Sequence, residues 1–513
     1  MRCTFVAMGT ENISLQVLSA MLKMHGHDTT LAYDQSLFDD KNYLYKPKLA
    51  KLFDHKSVVV AQVLESKPDL VAISVITPTY VWALEMARLI KKYTDVPIIF
   101  GGLHPTTLPE QVIQNDCVDM LCVGEGDYAL LDVCNSIENN TQDYSIQNIW
   151  FKNNGEIIRN EQRPLIKDLD ELPLPDKELF APHVPIKNSY LAVTARGCPF
   201  ACSFCSLSYV AKEVKMLGGE RLRERSPESV IYELKIMREK YGFEWVDFRN
   251  NTFTASKKWV LEFCEKYKKE INLPFKAFSH PATMDDEIAC KLKEAGCFGI
   301  QLGIESYSEE VRREILHRTE SNKQIITAVS AMDKAGLAYS LDYILGVPKQ
   351  TEEELLEAAR FFMEREHCYR VSPFMLEYLP KLDIIKYGME FDALTEEEVL
   401  KLEEGEHNHY ISTGSVGRDP EKLRFFMAYR LLYRLIPLLP KTVSSFIIRL
   451  KLFKLFPYLP TDFCLSILDV FMVFFGRQDK DAYAYAKNYL YWFSSRFKKN
   501  HPVYRKRRPC NQK

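Results

Sequence analysis

Three cysteines stand close together near the middle of the chain. Cys198, Cys202 and Cys205 follow a C-x3-C-x2-C spacing, directly after an apolar, strand-like run at 190–194. Thiolates are the ligands that iron–sulfur clusters prefer, and a cubane cluster normally takes four of them. Since the next cysteine downstream, Cys264, is far away in sequence, the motif offers three ligands and predicts one iron that is open to a small molecule.

Two other uses of these cysteines are possible in principle. A structural zinc site needs four ligands, usually as two close pairs, and no second C-x2-C or H-x3-H pair lies nearby in the sequence. Purely structural cysteines would rarely fall so close together, and Gly197 and Pro199 favour a loop around them. The cluster is therefore the favoured interpretation.

The cysteine motif is that of the radical S-adenosylmethionine (SAM) superfamily, which the chain resembles. The resemblance implies that SAM chelates the open iron of a [4Fe-4S] cluster through its amino and carboxylate groups. An electron from the reduced cluster would then cleave the sulfonium and release a 5'-deoxyadenosyl radical. Phe204, between the last two cysteines, matches the family's aromatic position beside the adenine, although such a side chain could also serve only in packing.

Length and composition indicate a large globular protein. The 513 residues are enough for three or four domains, and the apolar fraction of 46% is that of a globular chain. The 13 cysteines show no regular pairing, which indicates a reducing compartment. No signal peptide is visible, so a cytoplasmic location is expected.

Residues 1–145 alternate short apolar strands with helices. Strands are predicted at 3–8, 29–33, 70–75, 98–100 and 120–123. This alternation is typical of an α/β domain with a doubly wound parallel sheet, which binds ligands at the carboxyl ends of its strands. The candidate contacts at those ends are Gly9, Thr10, Glu11, Asn12, Ser74, Thr77, Gly101, Gly102, His104, Glu125 and Gly126. Ordinary turn chemistry would explain each loop taken singly.

This half of the chain resembles the flavodoxin-like cobalamin-binding domain that precedes the catalytic domain in a large radical SAM subfamily. The runs 74–76 (SVI) and 101–102 (GG) approximately match its SxL and GG elements. The DxHxxG element, whose histidine would ligate cobalt from below, is absent, and the first loop has Glu11 and Asn12 instead. The resemblance implies bound cobalamin, with His104 as a possible contact to the corrin tail; a lone histidine in a turn is more often solvated.

The alternation of strands and helices in the middle of the chain predicts a second α/β domain. A hairpin near 145–160 and a proline-rich stretch place a linker at 146–187. Over 188–395, six strands alternate with helices, too few for a closed barrel of eight, which favours a partial (β/α)6 barrel open to a large substrate. Those strands are predicted at 191–194, 245–248, 275–279, 299–304, 340–345 and 371–376.

The carboxyl ends of the barrel strands carry further motifs. The run Gly303-Ile304-Glu305-Ser306 resembles the family's GIES, which implies contacts from Glu305 and Ser306 to SAM, the carboxylate meeting the ribose; a strand-end carboxylate could equally cap the next helix. Asn250 is a further candidate, although the family usually has acidic residues in its segment. The run 346–351 is close to the family's GxPGET, with Lys349 at the usual glycine.

Residues 396–513 are predicted to form a helical domain rich in aromatic and basic side chains. From Glu421 to Lys513, 19 Lys and Arg stand against 5 Asp and Glu, a net charge of +14, while the preceding residues carry −16. Prolines interrupt the apolar runs, so a membrane-spanning helix is not expected. Two interpretations stay open: contact with an anionic membrane surface or a hydrophobic substrate, or a plain helical cap with a solvated basic face.

These features predict a cobalamin-dependent radical SAM enzyme that methylates an unactivated carbon of a hydrophobic, lipid or tetrapyrrole-like molecule. The subfamily also resembles anaerobic Mg-protoporphyrin monomethyl ester cyclases and lipid-pathway enzymes, so radical oxidation, cyclisation or carbon–carbon coupling is the close alternative. A flavodoxin- or ferredoxin-type electron donor is expected, and nucleic acid is not.

Two remoter functions are considered. A tRNA methylthiotransferase needs three N-terminal cysteines for a second cluster, and none lies between Cys3 and Cys117. A non-enzymatic cobalamin sensor would have no need of the cysteine triplet.

Overall fold

The computed structural model describes residues 1–40, 44–406, 414–416, 419–458 and 480–495. The strands are β1 (Arg2–Met8), β2 (Asp28–Asp34), β3 (Asp39–Asp40), β4 (Leu44–Tyr45), β5 (Leu70–Ser74), β6 (Ile98–Gly101), β7 (Met120–Cys122), β8 (Ile149–Asn153), β9 (Glu156–Arg159), β10 (Tyr190–Ala192), β11 (Ala195–Gly197), β12 (Leu222–Glu224), β13 (Val246–Phe248), β14 (Phe275–Ser279), β15 (Cys297–Glu305), β16 (Tyr339–Leu345) and β17 (Cys368–Met375). The helices are α1 (Ile13–Met24), α2 (Pro47–Ala50), α3 (Lys56–Ser66), α4 (Tyr80–Lys91), α5 (Leu103–Thr107), α6 (Pro109–Ile113), α7 (Asp127–Glu138), α8 (Ser206–Met216), α9 (Pro227–Tyr241), α10 (Lys257–Glu270), α11 (Asp286–Glu294), α12 (Asn322–Lys334), α13 (Glu352–Met363), α14 (Ile384–Glu390), α15 (Glu396–Glu403), α16 (Pro420–Leu435), α17 (Lys441–Arg449) and α18 (Lys480–Ser495).

The first sheet has seven strands in the order β2-β1-β5-β6-β7-β8-β9. The first five in this order are parallel, and β8 and β9 form an antiparallel hairpin at one edge. Its central strands β5, β6 and β7 are mainly apolar and buried, as expected where helices cover both faces of a sheet. The predicted doubly wound domain is confirmed, and the predicted hairpin extends its sheet. The strand order reverses between β1 and β5, which is the point where such sheets bind ligands.

The second sheet is a partial barrel of six strands in sequence order, β10-β13-β14-β15-β16-β17. All neighbouring strands are parallel, as predicted. On β15, Ile300, Leu302 and Ile304 are fully buried, whereas the alternating residues Gln301 and Glu305 are half-buried. This alternation separates the face packed against the helices from the inner face, where a ligand can reach the strands.

A short antiparallel pair that the sequence analysis did not predict, β11 with β12, stands at the carboxyl end of the barrel. The two strands pair Arg196 directly with Arg223. Since β11 ends one residue before Cys198, this pair fixes where the cysteine loop begins.

The described part of the C-terminal region is helical, as predicted. Helix α16 packs against β17 and α13, and the Tyr433 hydroxyl donates a hydrogen bond to the Leu355 carbonyl at 2.8 Å. Among the residues that the structure describes, no helix is long and apolar enough to cross a membrane. The apolar run 463–475 and the basic run 505–508 lie outside the described residues.

Candidate active site

The loop that carries the three cysteines is held from both sides. Gly197 has a φ of +88°, and a Cβ atom there would overlap the Arg221 carbonyl oxygen, so only glycine fits at this position. The next amide, that of Cys198, donates to the same carbonyl at 3.0 Å. In the middle of the loop, Ser203 donates from its amide to Leu316 O at 3.0 Å and from its hydroxyl to Ile315 O at 2.5 Å. The protein thus orders the loop through its own contacts.

The three motif cysteines are only partly exposed. Burial raises the pKa of Cys202 to about 12, and the charge of Arg318 opposes this rise. Bound iron would stabilise the thiolates. Within the described ranges, no three His, Cys, Asp or Glu side chains are arranged to hold a single metal ion. A cubane places each thiolate on a different iron, and three soft donors on one ordered loop fit a cluster with one open iron.

Glu305 and Arg318 lie beside the cysteine loop. Glu305 has a φ of +61°, and its carboxylate is 3.6 Å from the Arg318 guanidinium. Burial raises the pKa of Glu305 to about 8, despite the opposing charge of Arg318. Arg318 also binds Glu320 at 2.6 Å and the Gly303 carbonyl at 2.6 Å. Arg318 was not predicted from the sequence, because no motif marks it and only the tertiary fold brings it to the cysteines.

Phe200, in the cysteine loop, stacks on His280 at the end of β14. The two rings are 3.6 Å apart at an interplanar angle of 16°. Burial and the charge of Arg318 lower the pKa of His280 to about 2, so the imidazole is neutral. The stack joins the loop to the barrel wall, which is a second contact that sequence alone did not reveal.

Three other predicted SAM contacts have protein partners of their own. Ser306 is fully buried, and its hydroxyl donates to Glu354 at 2.5 Å. Both ends of the Asn250 side-chain amide bind Thr194, at 3.0 and 2.7 Å. Phe204 is half-buried against an apolar cluster that contains Val311. Direct contacts from these residues to SAM stay predictions.

A cavity of about 310 Å³ lies where the strand order of the first sheet reverses. Its lining includes Gly9, Thr10, Glu11, Asn12 and Ser74 from the ends of β1 and β5, together with Ile76, Thr79 and Trp82. The other predicted contacts, Thr77, Gly101, Gly102, His104, Glu125 and Gly126, are outside this lining. A cavity at this position fits part of a bulky ligand such as cobalamin.

Two of the three polar side chains of the first loop, Glu11 and Asn12, already have partners within the protein. Glu11 accepts a hydrogen bond from Lys177 at 2.7 Å, and Lys177 is completely buried. The same ammonium donates to the Leu191 carbonyl in β10 at 2.6 Å. Asn12 caps α1 by accepting from the Leu15 amide. Glu11 and Lys177 therefore tie the cavity loop to the first strand of the barrel.

His104 is not solvated, and the expectation that a lone histidine in this turn faces water is wrong. The side chain is 1% exposed and stacks on Tyr80, with ring centroids 4.0 Å apart. Its Nδ1 atom is 3.1 Å from the Thr77 hydroxyl, and burial lowers its pKa to about 4. Nearby, Gly102 has a φ of +103° and lies so close to Val75 that a Cβ atom would be 2.7 Å from its carbonyl oxygen. Gly102, which was predicted to face a ligand, thus also lets the ends of β5 and β6 pack closely.

Four charged side chains, here called the inter-domain clamp, join the first domain to the cysteine loop: Glu125, Asp127, Arg196 and Arg223. Arg196 binds Asp127 through two bonds of 2.8 Å and Glu125 at 3.1 Å. Arg223 binds Glu125 at 2.7 and 3.2 Å. Glu125, which was predicted to contact a cofactor, is thus held by both arginines, and a direct cofactor contact stays a prediction. Arg196 could have been noticed in sequence, since it lies two residues before Cys198.

Comparison with known proteins identifies the class that this fold and site define. The profile of the radical SAM superfamily matches residues 192–362, and that of the B12 binding domain matches residues 6–133. An uncharacterized methyltransferase of Pyrococcus horikoshii is 30% identical over 358 residues, which are 68% of this chain and 72% of the relative. The chain therefore belongs to the radical SAM enzymes that carry a B12-binding domain.

More distant relatives agree with this assignment. The anaerobic magnesium-protoporphyrin IX monomethyl ester cyclase of Rubrivivax gelatinosus is 24% identical over 57% of this chain and 53% of its own length. The radical SAM methyltransferase TsrM from Kitasatospora setae, solved with cobalamin and a [4Fe-4S] cluster, has the same fold, with a TM-score of 0.61 at 16% identity over 76% of this chain and 75% of its own. The cobalamin-dependent radical enzyme OxsB gives a TM-score of 0.65 at 15% identity over 98% and 82%.

Family membership establishes the protein as an enzyme with three cofactors: a [4Fe-4S] cluster, SAM and cobalamin. The predictions of family, fold class and cofactors are confirmed. Which residues contact each cofactor stays a prediction, and so do the exact domain boundaries.

Proposed function

We propose that this enzyme transfers a methyl group to an unactivated carbon of a small molecule. The observation that carries the proposal is the pairing of two ligand sites within one chain. The three-cysteine loop and the switch-point cavity belong to different domains, and the inter-domain clamp joins the domains directly next to Cys198. Such an arrangement supports a reaction in which a radical site and a methyl donor act on the same substrate.

The cofactors, when bound, supply an electron for SAM cleavage and a methyl group carried on cobalamin. The protein's own residues hold and orient them. Cys198, Cys202 and Cys205 would bind the cluster. Glu305 and Arg318, one beside the other, would meet the polar groups of SAM. The cavity at the ends of β1 and β5 would hold part of the cobalamin.

The inner face of the barrel suggests what kind of substrate is bound. The Lys276 ammonium donates to Gln301 at 3.2 Å, and the Gln301 amide donates to Asp342 at 2.6 Å. Two cations lie near the ring of Phe278, Lys276 at 5.0 Å and Arg249 at 5.5 Å from its centroid. We therefore propose a substrate with an apolar body, in line with the sequence prediction, that also carries polar or ionised groups.

The alternative function is a radical reaction without methyl transfer, since one relative is a cyclase. In such a reaction the substrate radical would be oxidised or would couple internally without receiving a methyl group. The barrel and its cysteine loop would serve both reactions equally well, so the products distinguish them.

The test is product analysis with labelled SAM. Anaerobically reconstituted enzyme with cobalamin, a chemical reductant and methyl-deuterated SAM is incubated with small-molecule extracts, and new masses are identified. A product in which a CD3 group replaces hydrogen supports methyl transfer. A product that has lost hydrogens, or gained oxygen, without label contradicts it. The variant with all three motif cysteines replaced by alanine serves as the control.

A further inference from the structure

An exposed apolar surface lies on α17 and on the 3-10 turn that follows it. Val443, Phe446 and Leu450 recur at helical spacing on α17 and its C-terminal end, and Leu455 and Tyr458 follow. These five side chains, here called the apolar face, are between 41% and 77% exposed. A helix of a globular protein normally turns its apolar stripe toward the core. Here the stripe faces solvent.

The orientation of this helix is fixed from its other side. Ser444, Ile448 and Phe453 are buried, and the Phe453 ring packs against Tyr429 with centroids 4.9 Å apart. Helix α17 also packs against α13 and against the 3-10 turn that follows it. Because these contacts anchor the segment to the catalytic barrel, the apolar face is a fixed surface of the folded enzyme.

The apolar face is flanked by positive charge. Residues 441–458 include four cations and no acidic residue: Lys441, Arg449, Lys451 and Lys454. Glu352 lies 3.0 Å from Lys451 and 2.8 Å from Lys454, and Glu364 lies 3.6 Å from Lys441. Each of these lysine side chains is still about half exposed. Two carboxylates thus neutralise the segment only in part.

We propose that the apolar face docks the enzyme on the surface of an anionic phospholipid bilayer. An exposed apolar stripe beside lysine and arginine is the arrangement by which helices lie in the interface of a membrane, with apolar side chains among the acyl chains and cations at the headgroups. The sequence that follows is also rich in apolar residues, since residues 463–475 are apolar apart from Ser466 and Asp469. An acidic segment of a partner protein would match the cations but would offer no apolar environment to the five exposed side chains.

Co-sedimentation of the full-length enzyme with vesicles tests this proposal. Vesicles of phosphatidylglycerol and phosphatidylcholine are compared with vesicles of phosphatidylcholine alone, at low and high salt. The double variant Phe446→Asp with Leu450→Asp should bind anionic vesicles at least about tenfold more weakly, because two exposed apolar groups that would enter the bilayer are lost and two negative charges are added. The matched control, Tyr232→Asp, changes an equally exposed aromatic residue on α9 and should bind like the wild type.

The Glu352 carboxylate offers a test in the opposite direction. Glu352→Gln leaves the apolar face unchanged but frees Lys451 and Lys454 from their shared partner. This variant should bind anionic vesicles more tightly than the wild type, and the gain should vanish at high salt. Circular dichroism confirms that each variant is folded.

Three results would overturn the proposal. The first is a wild-type enzyme that does not bind anionic vesicles at low salt. The second is a double variant that binds these vesicles as tightly as the wild type. The third is a double variant that loses self-association in solution while no protein binds vesicles, since the apolar face would then be a contact between copies of this chain.

Discussion

The inter-domain clamp gives the most quantitative prediction. In Glu125→Gln, the side chain keeps its shape but loses the charge that binds both arginines. Arg196 retains its two bonds to Asp127, whereas Arg223 loses its carboxylate partner and keeps only neutral acceptors, the Ile166 carbonyl and the amide oxygen at position 125. The Arg223 side chain is 9% exposed, so its positive charge is left almost without solvent or a counter-charge. The perturbation therefore acts chiefly through Arg223.

The size of the effect follows from the burial of this pair. Breaking a buried ion pair by removing one partner costs about 3–5 kcal/mol. Glu125 is 18% exposed and one of its two arginines keeps another carboxylate, so we expect a smaller loss, about 2–3 kcal/mol. Burial raises the pKa of Glu125, but the hydrogen bond from Arg223 and the charges of both arginines outweigh it, and the net pKa is lowered. The carboxylate is therefore ionised at neutral pH.

Hydrogen exchange measures this loss where it occurs. The backbone amides of β11 and β12 pair with one another beside the clamp, and they exchange when this region opens. A loss of 2–3 kcal/mol corresponds to exchange that is roughly 30- to 150-fold faster. The matched control is Glu110→Gln, which breaks an exposed pair with Arg159 and should cost at most about 1 kcal/mol at its own site.

A second readout connects the clamp to function. If the clamp aligns the two cofactor sites, Glu125→Gln should still load its cluster and cobalamin but should form less S-adenosylhomocysteine for each 5'-deoxyadenosine. The reasoning would be refuted if Glu125→Gln left the exchange of β11 and β12 unchanged. It would also be refuted if the Glu110→Gln control changed the exchange of β11 and β12 by the same factor.

Three further predictions concern the catalytic loop and its surroundings. Replacing any one of the motif cysteines, Cys198, Cys202 or Cys205, with alanine should abolish the cluster's visible absorption and SAM cleavage, whereas Cys290→Ala, at an exposed cysteine of α11, should preserve both. Gly197→Ala should displace β12 and prevent cluster assembly, while Gly155→Ala, also at positive φ but with open space around it, should cost only about 1 kcal/mol in a urea titration. Burial raises the pKa of Glu305 from 4.5 to about 8, so the folded state binds more protons than the unfolded state between these values, and stability falls as the pH rises toward 8. Glu305→Gln removes this contribution, and the urea midpoint of the apo-protein should then fall less between pH 6 and 9 than that of the wild type.

The sequence predicted those features that depend on local pattern. Apolar runs of three to six residues separated by helical periodicity located the parallel strands of both sheets, and the cysteine spacing predicted the cluster ligands. Lys349 shows how a departure from a motif can be accommodated, since it adopts a φ of +68° where the family has glycine. Glu305 and Glu125 were predicted to be site residues from their positions at strand ends, but their protein partners were not predicted.

Those partners could not be found from sequence because they are distant along the chain. Glu125 lies 71 residues from Arg196 and 98 residues from Arg223, and Glu11 lies 166 residues from Lys177. No local periodicity relates such positions, and only the docking of two domains brings them together. The pair β11 and β12 was missed for a related reason, since each strand has three residues and little hydrophobic pattern.

The central claim is that one chain unites a site for radical generation with a site for methyl-carrying cobalamin. It is tested most directly by quantifying two products of SAM in one anaerobic sample of the reconstituted enzyme with reductant and a methyl-accepting extract. We predict that 5'-deoxyadenosine and S-adenosylhomocysteine both form, that both require the motif cysteines, and that the second also requires cobalamin. Formation of 5'-deoxyadenosine alone, unaffected by cobalamin, would contradict the account.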